Sequence, residues 1–535
     1  MNSIHDYESD IRAVPFDGTD MPTEDGSMQI PLTDKTITTE INGDFSLPDY
    51  QPEIKRLLKI RAALHPPTCY AGSGEVDVNG GVDYFVFYTG NDNGLYCAPL
   101  HTDYHLTAAT NDDVGMESIT PTLCLCQSVV ESAVGRVTAP RRLNIRCRLQ
   151  SRIQALGERT SSDISSDHLS PDSTEVLTAH APICRLYETD CDPIMLQDDV
   201  IPDVRAGEVR VVCSEGQVMV TEATAGMGAL NCRGEVTMKL TLCPVEADAD
   251  GLTLPMVLTR KIPFFKTVEM DGVTPHCAGC AHGICSDISA ELEDGRIHVE
   301  ASVLLHAMAH KNEMVSYVKD LYSTRRIGQC RYIDYPVSHA IRCVCSNFTQ
   351  SESLSLSEVG IAPSARIIDI SGAAFPEDLA VYPDQNKCVL HGKCRYQILL
   401  LRDGEYMTSD LELPFRYEME AEAADGTLFS GHVTVITCRT RMDGERMGVD
   451  AELAVSGRLY QPQTLTLVSD VTYGEEFARR HGEYVICFPA PDDSLWSVAK
   501  RYHAPMAALS AANSLSPTAA IDSPASIAGN HYLIV

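Results

Sequence analysis

The chain of 535 residues lacks any run of 18 consecutive apolar residues, so no membrane-spanning segment is expected. Basic residues are also scarce, because 42 lysines and arginines stand against 74 aspartates and glutamates and leave a formal net charge of -32. A surface this acidic repels phosphate backbones and anionic lipids, which argues against nucleic acid or membrane as the main partner. The first 25 residues show no basic start followed by an apolar run. We therefore expect no secretory signal and a cytosolic location.

Motifs of common enzyme classes are missing as well. The chain has no GxSxG nucleophile elbow, no HExxH zinc motif, no GxxxxGK phosphate loop and no GxGxxG between a strand and a helix. Two adjacent acidic pairs, Asp198-Asp199 and Asp492-Asp493, are typical of solvated turns or of a helix cap, because neighbouring side chains point apart. We therefore expect no enzyme activity and no cofactor.

Cysteine, in contrast, is abundant, with 20 residues. Most lie singly in apolar, strand-like runs, where a thiol is expected to be a small buried side chain. The segment PHCAGCAHGIC at 275–285 differs, because a CxxC pair is followed there by a further cysteine and accompanied by histidines. Three interpretations remain open for it: a tetrahedral metal site, a redox or cross-linking thiol cluster, and unassociated thiols in a loop. Its candidate side chains are His276, Cys277, Cys280, His282 and Cys285.

The N-terminal region differs in texture from the rest of the chain. Residues 1–36 are acidic and rich in Asp, Ser, Thr, Pro and Gly, without a sustained hydrophobic period, which predicts a mobile tail. From about residue 37 the chain changes to short alternating apolar and polar runs interrupted by Gly, Asp and Pro. This alternation is typical of β-strands and turns, so the sequence predicts a mainly β protein.

Three segments repeat one pattern, in which an apolar strand is followed by a glycine and a second strand. The glycines are Gly80, Gly234 and Gly392, spaced 154 and 158 residues apart, which is close to the size of one domain. A Ser- and Asp-rich stretch at 158–175 is typical of a linker. The pattern predicts three tandem β-rich domains. Their expected bounds are 37–157, 176–325 and 326–475.

Each repeat ends in a segment expected to form a β-hairpin. These segments are 133–150, 287–305 and 437–455, and the second and third contain Asp-Gly, a strong signal for a tight hairpin turn. The strand before the hairpin carries a Pro-Phe pair in two of the repeats, at Pro263-Phe264 and Pro414-Phe415. The repeat therefore extends over the full length of each predicted domain.

The last segment, 480–535, has a different pattern that predicts a small β-α-α-β module. Short apolar runs at 483–486 and 532–535 favour strands. Asp493-Ser494 is a typical helix N-cap, Pro505 suits the first turn of a second helix, and Asn513 is placed to cap its end. The predicted inward faces are Leu495, Val498, Ala499 and Tyr502 on the first helix, and Met506, Leu509 and Ala512 on the second.

The order of these elements resembles a known family. The lead-in LPDYQPEIKRLLKI at 47–60 has weaker echoes at 201–213 and 361–370, ahead of the other two glycines. With the Gly-centred strands, the Pro-Phe strand, the closing strand and the C-terminal module, this order is similar to the tandem SPOCS domains and LysM domain of clostridial SipL-like spore coat morphogenetic proteins. The resemblance covers 37–535. It implies a non-enzymatic scaffold of the spore coat, made in the mother-cell cytosol and recruited to the forespore surface. The implied partners are a basement-layer morphogenetic ATPase and other coat proteins, and several modest contacts on one chain would raise the avidity.

The resemblance to a LysM domain also implies a binding groove for N-acetylglucosamine-containing chains between two loops, at 491–496 and 527–535. Two residues depart from the family pattern, since Asp492 replaces a glycine and Ala528 replaces a proline. A carboxylate at that place changes backbone freedom and charge. The residues that the family would use for glycan or partner binding are Asp492, Asp493, Ser494, Leu495, Trp496, Asn513, Gly529 and Asn530.

Two uses of this module therefore remain open. In the first, the module docks on proteins within a spore coat scaffold. In the alternative, the chain is a wall-associated protein whose module binds peptidoglycan. The single tryptophan, Trp496, is expected to pack against the module rather than to stack on sugar.

Overall fold

A computed structural model describes residues 27–72, 74–110, 119, 121–160, 173–201, 209–245, 254–293, 295–476, 485–515 and 521–535. Over these residues the chain is mainly β, with two short α-helices near its C-terminal end. The predicted fold class is confirmed, because several β-sheet units precede a small module that contains the helices. Neither α-helix in the described ranges has the length and apolar character needed to cross a membrane.

The first repeat contains seven strands in two antiparallel sheets. The strands are β1 (Ser27–Ser46), β2 (Arg56–Leu64), β3 (Thr68–Ala71), β4 (Glu75–Thr89), β5 (Leu95–Ala109), β6 (Pro121–Ala139) and β7 (Arg142–Thr160). One sheet has the order β1-β7-β6, so the first strand of the repeat pairs with the last. In the other sheet β4 pairs with β2, β3 and β5. Pro66-Pro67 separates β2 from β3, since proline cannot donate a ladder hydrogen bond.

The second repeat has the same plan. Its strands are β8 (Thr174–Asp190), β9 (Ile194–Val200), β10 (Val209–Ala225), β11 (Ala229–Pro244), β12 (Met256–Glu269), β13 (Ala278–Glu293) and β14 (Arg296–Ser323). They form a sheet β13-β14-β8, with β9 also paired to β14, and a three-stranded sheet β10-β11-β12. The uninterrupted β10 takes the place of β2 and β3 in the first repeat.

The third repeat has six strands rather than seven. Its strands are β15 (Arg326–Ser355), β16 (Arg366–Tyr382), β17 (Lys387–Arg402), β18 (Glu405–Glu420), β19 (Leu428–Asp443) and β20 (Arg446–Glu476). The sheets are β15-β20-β19 and β16-β17-β18. The closing hairpins predicted for the three repeats are all present, as β6-β7, β13-β14 and β19-β20.

The repeated glycines lie in the middle of single continuous strands, whereas the sequence pattern placed each of them between two strands. Each glycine faces an aromatic residue of the next strand in the ladder. The pairs are Gly80 with Tyr104, Gly234 with Phe264 and Gly392 with Phe415. A Cβ on Gly392 would lie 2.5 Å from the ring of Phe415 and 2.3 Å from the carbonyl oxygen of Phe375. Glycine is required there because the aromatic ring covers the strand.

The N-terminal tail predicted at 1–36 extends too far, because its last ten residues form part of a strand. Residues 27–36 belong to β1, which pairs with β7 along its whole length. Met28, Ile30 and Leu32 alternate along β1 and are buried, so this segment contributes to a core that composition alone did not indicate. The remaining tail residues, 1–26, lie outside the described residues, as do 161–172 of the predicted linker; β7 and β8 occupy the ends of that linker.

The central strand of each repeat ends in four consecutive buried residues, at 86–89, 240–243 and 398–401. These positions follow the repeated glycines by the same distance. Because side chains of a strand alternate between faces, four buried residues in a row mean that both faces are covered. One face packs inside its own repeat and the other meets the neighbouring repeats. The shared apolar cluster is Phe87, Leu95 and Cys97, with Val212, Cys213 and Cys243, and with Leu399, Leu401 and Tyr406.

A second core joins the first strands of the three repeats. Buried apolar side chains of β1, β8 and β15 belong to one cluster, which also includes parts of β14 and β20. Its members on the three first strands include Met28 and Ile30, Ala181 and Ile183, and Tyr335 and Val337. The repeats therefore share two apolar cores and are not independent domains joined by linkers.

Buried charges accompany the shared apolar cluster. Asp369 of the third repeat forms ion pairs with Lys59 of the first, at 3.5 Å, and with Lys239 of the second. Arg61 of the first repeat pairs with Glu215 of the second. Burial by itself raises the pKa of the Glu215 carboxyl, but the nearby cations Arg61, Lys239 and Lys59 outweigh it and hold that pKa below its usual range. Each repeat thus supplies charge that another repeat neutralises.

Replacement of Asp369 is expected to destabilise the whole assembly of repeats. Asp369→Asn removes the carboxylate that pairs with both Lys59 and Lys239 and leaves only the more distant Glu215 to balance them, so the free energy of unfolding should fall by about 3–5 kcal/mol. Urea denaturation at pH 7 measures this change. The matched control is Glu405→Gln. Glu405 of the third repeat pairs with Arg56 of the first, but its side chain is 76% exposed, so this substitution should lower the free energy of unfolding by less than about 0.5 kcal/mol. Equal effects of the two substitutions would contradict the prediction.

Candidate glycan-binding site

The C-terminal module consists of two short strands and two helices. They are β21 (Ile486–Cys487), α1 (Leu495–Tyr502), α2 (Met506–Ala512) and β22 (Leu533–Ile534), with a turn of 3-10 helix at Pro524–Ile527. The strands pair antiparallel, with Ile486 opposite Ile534. The observed order is the predicted β-α-α-β order, and the strands bring the two ends of the module together.

The start of α1 is fixed by its own side chains. Ser494 caps the helix and exchanges hydrogen bonds with Ser497 in a capping box. Asp493 is 6% exposed, accepts a hydrogen bond of 2.9 Å from the backbone N–H of Ala490 and pairs with Arg501. The hydrogen bond from Arg501 is the main reason that the pKa of Asp493 is lowered. Asp493 and Ser494 therefore serve the fold of the loop and are not free to contact a ligand.

The buried face of α1 differs in part from the prediction. Leu495, Val498 and Ala499 are buried as predicted, but Tyr502 is 38% exposed and Trp496 takes its place in the core. On α2, Leu509 is buried whereas Ala512 is exposed. The difference arises because the module packs against the second repeat on the side of Trp496, which no periodicity within the helix reveals.

Trp496 anchors the module to the end of β14. Its indole N–H donates a hydrogen bond of 2.8 Å to Asp320, and its ring makes an edge contact with Tyr322, with centroids 5.0 Å apart. Asp320 also accepts hydrogen bonds from Lys500, at 2.5 Å, and from the hydroxyl of Tyr332, at 2.7 Å. One carboxylate therefore connects the second repeat, the third repeat and the module.

Further contacts surround this anchor. The hydroxyl of Tyr322 donates to the carbonyl oxygen of Ala504 at 2.7 Å, and Lys319 pairs with Asp522 at 2.7 Å. The backbone N–H of Met506 donates to Glu175 at 3.2 Å. The sequence offered no signal for this docking surface, because its residues are distributed over β8, β14 and the module.

The first of the two loops expected to form the groove is hydrogen-bonded to the segment that leads into the second. The backbone N–H of Leu495 donates to the hydroxyl of Ser526 at 2.9 Å, and that of Trp496 donates to the carbonyl oxygen of Ile521 at 3.0 Å. Asp492 in the first loop and Gly529 in the second are both exposed. Gly529 has a φ of 89°, and a Cβ there would meet nothing within 4 Å, so its backbone is open to solvent.

The amides of the predicted set have different roles. Asn513 donates hydrogen bonds of 2.8 Å to the carbonyl oxygens of Leu509 and Ile534 and accepts one of 2.7 Å from the N–H of Ile534. Both donors of its amide are used to join α2 to β22. Asn530 is partly exposed, and its side-chain amide donates a long hydrogen bond of 3.4 Å to the carbonyl oxygen of Ile527. Among the eight predicted residues, Asp492, Gly529 and Asn530 thus present groups to a ligand.

An apolar patch lies next to these loops on the outer face of the small sheet. Phe488 is 76% exposed, and Ile486 and Tyr532 are also largely exposed. Together with Ile534 they line a shallow depression. The sequence does not reveal this patch, because a strand of two residues is too short to show an alternating pattern.

The five side chains of the candidate thiol or metal cluster are not brought together. His276 is exposed, Cys277 lies in the core of the second repeat, and Cys280 is buried beside Cys343 of β15. His282 stacks on His432 of the third repeat, with ring centroids 4.1 Å apart. Residues along a strand advance by about 3.3 Å and alternate in direction, so ligands spread over this segment cannot converge. In the described parts of the chain none of the five belongs to a group with metal-binding spacing.

The family model of the LysM domain matches residues 490–523. This match starts at the first loop, includes both helices and ends within the segment that leads to the second loop. The chain therefore carries a LysM domain at its C-terminal end, a class of domain associated with the binding of peptidoglycan and related carbohydrates. No curated protein and no solved structure matches the chain.

Loss of the Trp496 anchor is expected to release the module from the second repeat. The chain has one tryptophan, so its fluorescence reports this contact alone. Tyr322→Ala or Asp320→Ala should shift the emission to longer wavelength and increase quenching by acrylamide, because the indole becomes exposed. Asp522→Ala, which breaks only the outer ion pair with Lys319, should leave the emission unchanged. A buried indole in the Asp320 and Tyr322 variants would show that the anchor is elsewhere.

The anchor is also expected to respond to acid. Burial raises the pKa of the Asp320 carboxyl, but hydrogen bonds from Lys500, Trp496 and Tyr332 outweigh it, so the pKa in the folded protein is lowered. A lowered pKa means that the carboxylate stabilises docking fully above its ordinary range, and that this contribution disappears as the pH falls through the lowered value. The tryptophan emission of the wild-type chain should therefore shift to longer wavelength only in acid, as the pH falls through the lowered pKa of Asp320.

Proposed function

We propose that the LysM domain of this chain binds N-acetylglucosamine-containing glycan chains, and that the three repeats act as a non-enzymatic scaffold that holds it. The arrangement of the two loops carries this proposal. The first loop is tied to the segment that leads into the second, and Asp492, Gly529 and Asn530 stay accessible while Trp496, at the end of the first loop, docks the module on the second repeat. Docking and ligand binding would thus use different faces of the module.

The exposed groups suit a sugar with N-acetyl substituents. The open backbone at Gly529 offers peptide groups to an acetamido group at close range, and Asn530 offers an amide that can donate and accept. The carboxylate of Asp492 can accept hydrogen bonds from sugar hydroxyls, and hydrogen bonds to a charged acceptor are stronger than neutral ones. Asp492 would therefore offer the sugar a charged acceptor at a position where the LysM pattern has a glycine.

The scaffold part of the proposal is supported by the way the repeats pack. They share one apolar cluster and buried ion pairs, so the surfaces that they present are held at fixed positions relative to one another. A rigid platform lets several contacts act at once, because little conformational entropy is lost on binding. No motif of the enzyme classes considered above occurs in the sequence.

We extend the proposal to the spore coat, with the chain recruited from the mother-cell cytosol to the forespore surface by a basement-layer morphogenetic ATPase and other coat proteins. Its support is the resemblance of the three repeats and terminal module to SipL-like proteins.

A specific surface favours protein docking as a second use of the module. The apolar patch of Ile486, Phe488, Tyr532 and Ile534 is exposed, and such patches are typical of protein contacts.

Binding of the neutral hexamer of N-acetylglucosamine tests the glycan proposal on the full chain. Calorimetry should detect binding to the wild type and an affinity lower by about tenfold or more for Asp492→Ala/Asn530→Ala, which removes hydrogen bonds to the sugar. The matched control is Phe488→Ser, which changes the apolar patch and should leave the affinity unaltered. No binding by the wild type, or equal binding by the double variant, would refute the assignment of the loops.

Fluorescence microscopy of a full-length fusion in sporulating cells tests the spore coat proposal. We expect a ring at the forespore surface for the wild type and for Asp492→Ala/Asn530→Ala. Phe488→Ser/Tyr532→Ser should weaken the ring, because an apolar docking surface loses its contacts. A fusion that stays uniform in the mother cell throughout sporulation would contradict the proposal.

A further inference from the structure

A cavity of about 1270 Å³ lies where the three repeats meet. Its walls carry histidines of all three repeats: His65 and His101 from the first, His282 and His306 from the second, and His432 from the third. The wall supplied by the first repeat holds two of these histidines on either side of one aspartate, Asp83.

Backbone pairing fixes the positions of these three residues. Asp83 of β4 is directly opposite His101 of β5 in the ladder. On the other side of β4, the N–H of His65 donates a hydrogen bond of 2.9 Å to the carbonyl oxygen of Gly81. His65 follows β2 and precedes the two prolines that interrupt this edge of the sheet, an interruption that β10 and β16 do not have. The first repeat alone thus combines a strand break with a histidine at this edge.

The two imidazoles converge on one carboxylate. Nε2 of His65 lies 2.7 Å from one oxygen of Asp83, and Nδ1 of His101 lies 2.6 Å from the other. The two rings are nearly perpendicular, with centroids 5.4 Å apart. The two nitrogens and the carboxylate all lie within 4.8 Å of one another, and this is the one set of three or more His, Cys, Asp or Glu groups with such spacing among the described residues.

Gly81 leaves the space in which the rings meet. A Cβ at this position would lie 2.8 Å from Cε1 of His101 and 3.3 Å from Cδ2 of His65. Any larger residue would therefore push the two imidazoles apart. The sheet thus has a small residue at the point where both rings approach its surface.

A second carboxylate orients His101. Its Nε2 lies 3.0 Å from a carboxylate oxygen of Asp103. Asp103 is opposite Gly81 in the β4–β5 ladder. When the Nε2–H of His101 donates to Asp103, Nδ1 is the atom left to bind an ion beside Asp83, in place of the proton that it shares with that carboxylate. Metal-binding histidines in proteins almost always donate their other N–H to such a partner.

We propose that His65, Asp83 and His101 form a binding site for a divalent transition-metal ion of the zinc class. Nε2 of His65, a carboxylate oxygen of Asp83 and Nδ1 of His101 supply three ligands, and the fourth position faces the cavity. Two imidazoles and one carboxylate suit zinc, whose bonds to these atoms are about 2.0–2.2 Å long. Tetrahedral bonds of that length separate the ligand atoms by about 3.3 Å, so small side-chain rotations suffice to admit the ion.

Zinc titration of the full chain tests this site. The metal-free chain is titrated with Zn²⁺ at pH 7.5 in competition with a chromophoric chelator. His65→Gln/His101→Gln should bind one equivalent of zinc less than the wild type. Zinc bound by thiols is present in both chains, so it does not affect the difference between their zinc counts. Asp103→Asn should retain the equivalent with an affinity about tenfold lower, because it removes only the orienting hydrogen bond.

His105→Gln is the matched control. His105 lies on the same sheet and contacts a single carboxylate, Asp77, at 3.1 Å, so its loss should not change the zinc count. If far-ultraviolet circular dichroism shows that the double variant is unfolded, Asp83→Asn replaces it, since it keeps both imidazoles and should lose the same equivalent. An unchanged zinc count in the folded double variant or in Asp83→Asn, or an equal loss in His105→Gln, would overturn the proposal.

Discussion

The packing of the three repeats depends on the region where their central strands end. Each of these strands is buried on both faces over four consecutive residues, so no repeat can cover its own apolar surface. The uncovered faces meet in one cluster with contributions from all three repeats. Lys59, Asp369 and Lys239 lie beside that cluster and can be buried only because their partners come from different repeats. The apolar side chains and the charges can therefore be buried only when all three repeats are in contact.

Two features of functional interest follow from this packing. The cavity lies where the three repeats meet, and the imidazoles of His65 and His101 line its wall. The LysM domain docks on β14, a strand of 28 residues that takes part in the core of its own repeat and also reaches the module. The long strand determines which face of the domain is covered and which loops stay open.

Much of the secondary structure could be predicted from the sequence. The three hairpins, the mainly β character and the order of elements in the C-terminal module depend on local alternation, turn residues and capping residues, which act over a few positions. The repeated glycines were also recognised, although the aromatic partners of Gly80, Gly234 and Gly392 explain them better than a strand boundary does. Apolar runs at 86–89, 240–243 and 398–401 contained a signal for burial on both faces.

The sequence by itself determined the mainly β character of the chain, the three closing hairpins and the position of the LysM domain. Tertiary structure decided which side chains remain available. It buried Asp493, Ser494 and Trp496, separated Cys277 from Cys285, and brought His65, Asp83 and His101 together from three different segments. The physical reason is that strand formation depends on neighbouring residues, whereas a binding site depends on contacts between residues far apart in the chain, and local patterns do not contain that information.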